Sequence, residues 1–265
     1  MGDAQRGAGR VEVVEAARRL ELAEQDRRPC APVRDLVADV ATAYEVQTLN
    51  NEARLARGWR PVGWKVGLTN PVVQKQLGVD QPDFGRLFAP MAVLDDLPAD
   101  VTLLQPRVEA EVAFVLERDL TGPSVTAIDV VRATAFVLPA IEIVDSRIDR
   151  WDISIVDTIA DNASSAAFVV GAHPVSLSSV DLREVRMELR GTDGTVLSSG
   201  GGAACLGHPV NAVVWLANTL TALGSPLRAG DLVLSGALGR MVDVAAGAVY
   251  EAAIEGLGTV RARFG

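Results

Sequence analysis

Two periods divide the chain. In the first sixty residues apolar side chains recur at helical spacing: Val11, Val14, Ala17, Leu20 and Ala23 predict a helix over 11–28, which Pro29 and Pro32 end. A second helix is predicted over 37–57, with Val40, Tyr44, Leu49 and Leu55 inward, Glu52 and Arg54 outward, and Gly58 as the stop. From Pro61 the pattern shortens. Strand-like runs are read at 62–68, 106–116, 136–144, 168–171, 185–189, 232–234, 248–254 and 260–264, with helices at 127–135 and 209–223 between them. In the last helix Val210, Val213, Val214, Ala217, Leu220 and Leu223 form a core-packing stripe. Asn70 and Pro71 mark another helix start, and 81–85, Gln-Pro-Asp-Phe-Gly, reads as a loop by composition.

Strands do not alternate regularly with helices, and no GxGxxG follows a strand, which argues against a doubly wound sheet. The expected architecture is α+β: a small N-terminal helical region, residues 1–60, before a β-rich domain, residues 61–265, with a mixed, rolled or barrel-like sheet.

Composition narrows the function. The chain has 25 Lys plus Arg against 34 Asp plus Glu, a formal net charge of -9, and no basic run, which argues against holding nucleic acid. Cys30 and Cys205 lie far apart with no metal-finger spacing, as in a reduced intracellular protein. The first ten residues carry no apolar stretch of signal-peptide length. The uncharged stretch 195–227 is broken by Gly200, Gly201, Gly202 and Pro209, so no membrane span is expected and the location read is cytoplasmic. That stretch is also a candidate for contact surface between subunits.

Carboxylates carry the candidate chemistry. In 107–116 the positions Val108, Ala110, Val112, Phe114 and Leu116 form one apolar face of a strand. Glu109 and Glu111 therefore share the other face, about 6–7 Å apart along the backbone. A solvated strand face explains that pair without function. Glu142 weighs against the plain reading, because it sits in the otherwise apolar run Phe136–Val144, where an ionised carboxylate needs a partner or a metal. Three oxygen donors with no Cys or His nearby fit a hard cation, Mg²⁺ or Mn²⁺, rather than zinc.

Lys65, in Gly63-Trp64-Lys65-Val66-Gly67, is a lysine in an apolar, glycine-flanked strand, open to a role as acid, base or anion partner or to snorkelling at an edge. The segment 157–165, Asp-Thr-Ile-Ala-Asp-Asn-Ala-Ser-Ser, concentrates small polar groups that a cap or turn explains, or that donate to a substrate carboxylate. His173 and His208 each precede proline and are read as structural.

Taken in order, Gly63-Trp64-Lys65-Val66-Gly67-Leu68-Thr69, Gln81-Pro82-Asp83-Phe84-Gly85, Val108-Glu109-Ala110-Glu111, Ala140-Ile141-Glu142-Ile143-Val144-Asp145-Ser146-Arg147, Asp157 through Ser165, and Gly207-His208-Pro209 resemble one family. It is that of the 2-keto-4-pentenoate hydratases and 4-oxalocrotonate decarboxylases of aromatic meta-cleavage pathways, within the fumarylacetoacetate hydrolase-like superfamily. The resemblance runs from about Ala43 to the C-terminus. One departure is Ala246-Gly247-Ala248, where relatives tend to carry Pro-Gly-Asp.

The resemblance implies a divalent metal on Glu109, Glu111 and Glu142, catalysis by Lys65 with Asp83, and substrate contacts from Leu68 and from Ser164 or Ser165. It implies a fumarylacetoacetate hydrolase C-terminal type of fold, a 2-hydroxydienoate or 2-ketoenoate substrate, and a homo-oligomer, pentameric or decameric, with an aldolase or decarboxylase as a pathway partner. Hydration of 2-hydroxypenta-2,4-dienoate is the first expectation and decarboxylation of 4-oxalocrotonate the alternative; for the latter, Arg147 is a candidate partner of the extra carboxylate. An acylpyruvate-type C–C hydrolase is disfavoured because the N-terminal helices lack histidine, and a silent partner subunit because Lys65 and the three carboxylates are all present.

Overall fold

The computed structural model describes residues 3–71, 74–75, 79–94 and 103–265. Among them α1 (Asp3–Gln25) and α2 (Val40–Ala56) precede β1 (Pro61–Gly67), β2 (Asp83–Phe88), β3 (Arg107–Leu116), α3 (Ala127–Ala133) and β4 (Thr134–Val144). Then follow α4 (Ile155–Ala160), β5 (Ser165–Val170), β6 (Arg186–Arg190), β7 (Val196–Gly201), α5 (Pro209–Ala222), β8 (Leu232–Leu234), β9 (Val242–Asp243), β10 (Val249–Ile254) and β11 (Gly258–Arg263).

The larger sheet has the order β2-β1-β8-β3-β4-β5, with β9 added to β3; only β1 and β8 run parallel in it, which makes it mixed. It rolls until the segment after β2 reaches the far edge, where the Val93 N–H donates to the Phe168 carbonyl at 3.0 Å. The smaller sheet, β11-β10-β6-β7, covers its convex side.

Alternation along the strands assigns the two faces. Val108, Val112 and Phe114 of β3, and Val137, Ile141 and Ile143 of β4, point to the convex side and share the main core with Met187, Leu189, Ala252 and Ile254 of the second sheet and with α5. The concave face is apolar at one end only, where Leu87, Ala113, Leu138, Ala140, Phe168 and Leu234 fill the roll. Glu109, Glu111 and Glu142 occupy the other end of the same rows.

Several helical faces differ from the sequence expectation. In α1 Val13, Ala16, Ala17, Leu20 and Ala23 are buried, whereas Val11 is 69% and Val14 51% exposed. In α2 the buried positions are Ala43, Val46, Gln47 and Arg54, while Leu49 and Leu55 face solvent. Polar bonds select that face: Gln47 Nε2 donates to the carbonyls of Phe84 and Ile159, and Arg54 pairs with Glu24 of α1 at 2.8 Å. The core under both helices is completed by Ile148, Ile159 and Ala160, so packing crosses residue 60.

The segment 81–85 is not only a loop. Asp83 begins β2, and Phe84 stacks on Tyr44 with ring centroids 4.3 Å apart. In α5 Ala212 and Leu216 join the core, whereas Leu223 at its end is exposed. Most apolar residues of 195–227 are thus taken up by the chain's own core. Of the helix starting at Pro71, only Pro71, Gln74 and Lys75 are helical here; the rest of that expectation lies outside the described residues. His208 accepts the Val210 N–H on Nδ1 and caps α5, a structural role as expected.

Candidate active site

Register brings the acidic residues together. β3 and β4 pair so that Glu109 stands directly opposite Glu142, with Glu111 one step along the same face. One carboxylate oxygen from each of the three lies within 4.8 Å of the others. Glu111 and Glu142 are fully buried. Glu111 Oε2 accepts the Gly236 N–H at 2.8 Å, but Glu111 Oε1 and both oxygens of Glu142 have no hydrogen-bond partner. Buried carboxylate oxygens without donors are costly, and a cation with oxygen preference removes that cost.

Lys65 reaches the cluster from β1. Its neighbours Trp64 and Val66 point into the convex-side core, so the lysine must point inward, where it is 4% exposed. Its Nζ lies 3.2 Å from Glu142 Oε2 and donates to the Ala163 carbonyl at 3.0 Å. β2 sets Gly85 opposite Lys65, and Asp83 opposite Gly67. A Cβ on Gly67 would sit 2.1 Å from Asp83 Oδ1 and 3.2 Å from Lys65 Nζ, so glycine there keeps the two functional groups together. Asp83 Oδ1 is buried without a partner.

Four carboxylates around one ammonium shape the titration. Burial would lower Lys65, but Glu142, then Asp83, Glu111 and Glu109 outweigh it and hold the ammonium above its usual range. Glu109 is pushed up to about 7 by burial first and Glu142 next. Burial, Glu142 and Glu109 drive Glu111 well above the carboxylate range, and burial raises Asp83 in spite of Lys65. The site favours holding either protons or a cation among its carboxylates.

A strained turn closes the wall beside Lys65. Asn162, Ala163 and Ser164 all have left-handed backbone, with φ of 56°, 51° and 52°. Left-handed geometry costs roughly 1–2 kcal/mol per non-glycine residue, so the turn persists only because its surroundings hold it. Asp161 accepts from Arg147 N and Nε, Ser146 Oγ and Ser164 Oγ, and the Asp145 N–H donates to the Ser164 carbonyl.

The expected substrate-contacting residues are placed less uniformly. Ser164's hydroxyl is engaged by Asp161, whereas Ser165 Oγ, at the start of β5 opposite Val144, is buried and unpartnered. Leu68 directly follows Gly67, is left-handed at φ 55°, and its carbonyl accepts from Gln74 Nε2 at 2.6 Å. Arg147, the cation considered for a second substrate carboxylate, is buried and engaged: its guanidinium pairs with Asp161 and donates to the Asp145, Asp161 and Ser165 carbonyls. Sequence reasoning misses that Arg147–Asp161 pair and the Gly236 N–H, since neither residue type nor spacing marks them.

An open surface cleft of about 750 Å³ lies elsewhere, lined among others by Arg28, Cys30, Pro32, Asp149 and Arg150. Its Arg150 is paired with Asp149, and none of its lining residues holds an unpartnered buried polar atom, unlike the carboxylate end of the roll.

Similarity to known proteins agrees with this geometry. Residues 79–265 match the model of the fumarylacetoacetate hydrolase C-terminal family. Over 255 residues, 95% of this chain and 97% of the relative, the sequence is 55% identical to a 2-keto-4-pentenoate hydratase of Burkholderia vietnamiensis. It is 56% identical to one of Paraburkholderia phymatum over 94% of this chain and 95% of the relative. The 4-oxalocrotonate decarboxylase of Pseudomonas putida G7, solved with magnesium and adipate, superposes with a TM-score of 0.91 at 35% identity, covering 96% of this chain and 98% of that one. The rolled mixed sheet, the acidic cluster and these identities together make the chain a member of the fumarylacetoacetate hydrolase family, in its 2-keto-4-pentenoate hydratase branch.

Proposed function

We propose that this enzyme is a divalent-metal-dependent hydro-lyase that adds water to 2-hydroxypenta-2,4-dienoate, or an alkyl analogue, giving a 4-hydroxy-2-ketoacid in aromatic meta-cleavage catabolism. The observation that carries the reading is the convergence of three carboxylates, of which Glu111 and Glu142 carry buried oxygens without a hydrogen bond, with Lys65 and Asp83 at one end of the roll. Glu109, Glu111 and Glu142 would hold the ion, Mg²⁺ or Mn²⁺; when bound, it supplies Lewis-acid stabilisation of negative charge on the substrate's 2-oxygen.

The chain's own residues handle the protons. Lys65 and Asp83 together accept the 2-hydroxyl proton and deliver one to C5, converting the dienol to an α,β-unsaturated ketone with no net proton gained by the enzyme. Water then adds across C3 and C4, its oxygen to C4 and a proton to C3. The apolar floor of Ala113, Leu138, Phe168 and Leu234 keeps bulk water from the opposite end of the roll. Ser165 Oγ and Leu68 would orient the substrate.

Paired assays with Mg²⁺ test the assignment. The expected result is consumption of 2-hydroxypenta-2,4-dienoate with formation of 4-hydroxy-2-ketopentanoate, and loss of that activity on exhaustive chelation. Release of CO₂ from 4-oxalocrotonate instead would move the chain to the decarboxylase reading, which the 0.91 superposition supports and the engaged Arg147 opposes.

Metal should also act on stability. Glu109 has its folded pKa raised from the ordinary 4.5 to about 7, so the stability its proton supports is full below about 4.5 and lost as pH rises through 7. A bound cation offsets that loss, so the Tm gap between Mg²⁺-loaded and chelated protein should widen from pH 5 to pH 7.5. A gap constant with pH would remove these carboxylates from the metal site.

No helix among the described residues is long and apolar enough to cross a membrane. Cytoplasmic location and homo-oligomeric assembly are further parts of the proposal, and a sizing measurement checks the latter.

A further inference from the structure

We propose that Asn162 is a positioning residue for Lys65: its side-chain amide fastens the left-handed turn 162–164 to β2, and the turn in turn presents the Ala163 carbonyl to Nζ. The inference rests on the hydratase reading for its catalytic consequence, and on geometry alone for the fastening.

The amide makes two bonds to one residue. Asn162 Oδ1 accepts the Arg86 N–H at 2.8 Å and Nδ2 donates to the Arg86 carbonyl at 3.0 Å, so the side chain pairs with β2 as a neighbouring strand would. Arg86 is next to Gly85, which faces Lys65 across the strand pair. A Cβ on Gly85 would lie 2.3 Å from the Asn162 carbonyl, so the turn's main chain sits directly on that glycine. Only a residue without a side chain lets it approach so closely.

From this seat the next carbonyl, Ala163, accepts from Nζ at 3.0 Å. It is an uncharged acceptor in a pocket of carboxylates. Without it the ammonium keeps Glu142 as its close partner but loses the directional bond that fixes where Nζ points. Asp161 and Arg147 anchor the turn from behind, but the contact with the strand that carries Gly85 is made by Asn162.

The chain contains only two lysines, the buried Lys65 and the exposed Lys75, which makes the fastening directly visible. In protein labelled with ¹⁵N-lysine, a buried, hydrogen-bonded ammonium exchanges slowly and gives a ζ resonance, while an exposed one is averaged by water. Asn162→Gly keeps a left-handed φ without strain but removes both amide bonds to Arg86, together with the longer one that Asn162 Oδ1 accepts from Asn51 Nδ2 at 3.4 Å. The expected result is a shifted or broadened Lys65 ζ resonance and a kcat lower by about 10–100-fold. KM and Mg²⁺ affinity should change by no more than about twofold, since a positioning fault acts on the proton transfers and not on ground-state binding.

Asn162→Asp keeps the acceptor for the Arg86 N–H and loses the donor, so it should fall between wild type and the glycine variant; it carries the comparison should the glycine variant not fold. An unmoved resonance with unchanged kcat overturns the inference, as does a fall in kcat matched by an equal fall in metal affinity or folded fraction. Wild-type protein inert on the dienoate would sink the functional reading instead, leaving the resonance to decide the fastening.

Discussion

Glu142→Gln should abolish divalent-metal binding at working concentrations and with it turnover, while leaving the metal-free protein at least as stable as wild type. The site holds four carboxylates against one ammonium, and Glu142 faces Glu109 across the β3–β4 pair with neither of its oxygens hydrogen-bonded. The glutamine is the same shape and removes one negative charge. The repulsion of Glu109, Glu111 and Asp83 by Glu142 is then removed, which offsets the loss of Lys65's nearest counter-ion. Metal affinity has no such compensation: one of three anionic donors becomes neutral, and a hard cation is held by charge as much as by geometry.

A weakening of metal affinity by at least roughly 100-fold is expected, comparable to or larger than the loss from removing an outer hydrogen-bond partner. Titration calorimetry with Mg²⁺ and a thermal melt in chelator separate the two effects. An unchanged dissociation constant would take Glu142 out of the metal set and remove the argument that set Glu109 and Glu111 apart from an ordinary strand face. A stable but metal-blind variant is what a site that trades stability for function should give.

Much of this arrangement is legible in the residue pattern alone. The alternation in 107–116 places Glu109 and Glu111 on the face opposite Val108, Val112 and Phe114, and the charged residue inside the apolar run 136–144 marks β4 as buried on both sides. What alternation cannot supply is register between strands that are distant in sequence. That Glu109 stands opposite Glu142 follows from how β3 and β4 seat their apolar residues on the second sheet, a long-range fact.

β2 escapes for a different reason. Pro82, Asp83 and Gly85 are turn formers by composition, but here the aspartate belongs to the site and the glycine makes room for the Asn162 carbonyl, so function has displaced strand propensity. The left-handed turn is similarly silent. Nothing in Asn-Ala-Ser announces three positive φ angles, because tertiary bonds from Arg86, Asp145 and Asp161 impose them. In α1 the apolar pattern is right at Ala17, Leu20 and Ala23 and wrong at Val11 and Val14; in α2 it misleads at Leu49 and Leu55, since the buried guanidinium of Arg54, paired with Glu24, and the amide of Gln47 turn inward instead.

Lys65→Met tests the other half of the site, and its effect on the metal should have the opposite sign. Methionine fills nearly the same volume in a position that is 4% exposed, so the fold should persist. Removing the ammonium takes away a positive charge 3.2 Å from Glu142 Oε2, and with it both a competitor for that oxygen and a repulsion of any incoming cation. Mg²⁺ affinity should therefore hold or tighten. Turnover should nonetheless fall by about 10²–10⁴-fold, the usual contribution of a positioned proton-transfer group, because Asp83 alone would have to take the hydroxyl proton and deliver it to carbon. Loss of rate with retained or tighter metal assigns Lys65 to chemistry. Loss of both together would make it a structural counter-ion of the carboxylates, and activity within about twofold of wild type would remove it from the mechanism. Since Glu142→Gln and Lys65→Met are expected to move metal affinity in opposite directions while both stop turnover, no single account based on misfolding can produce the pair of results.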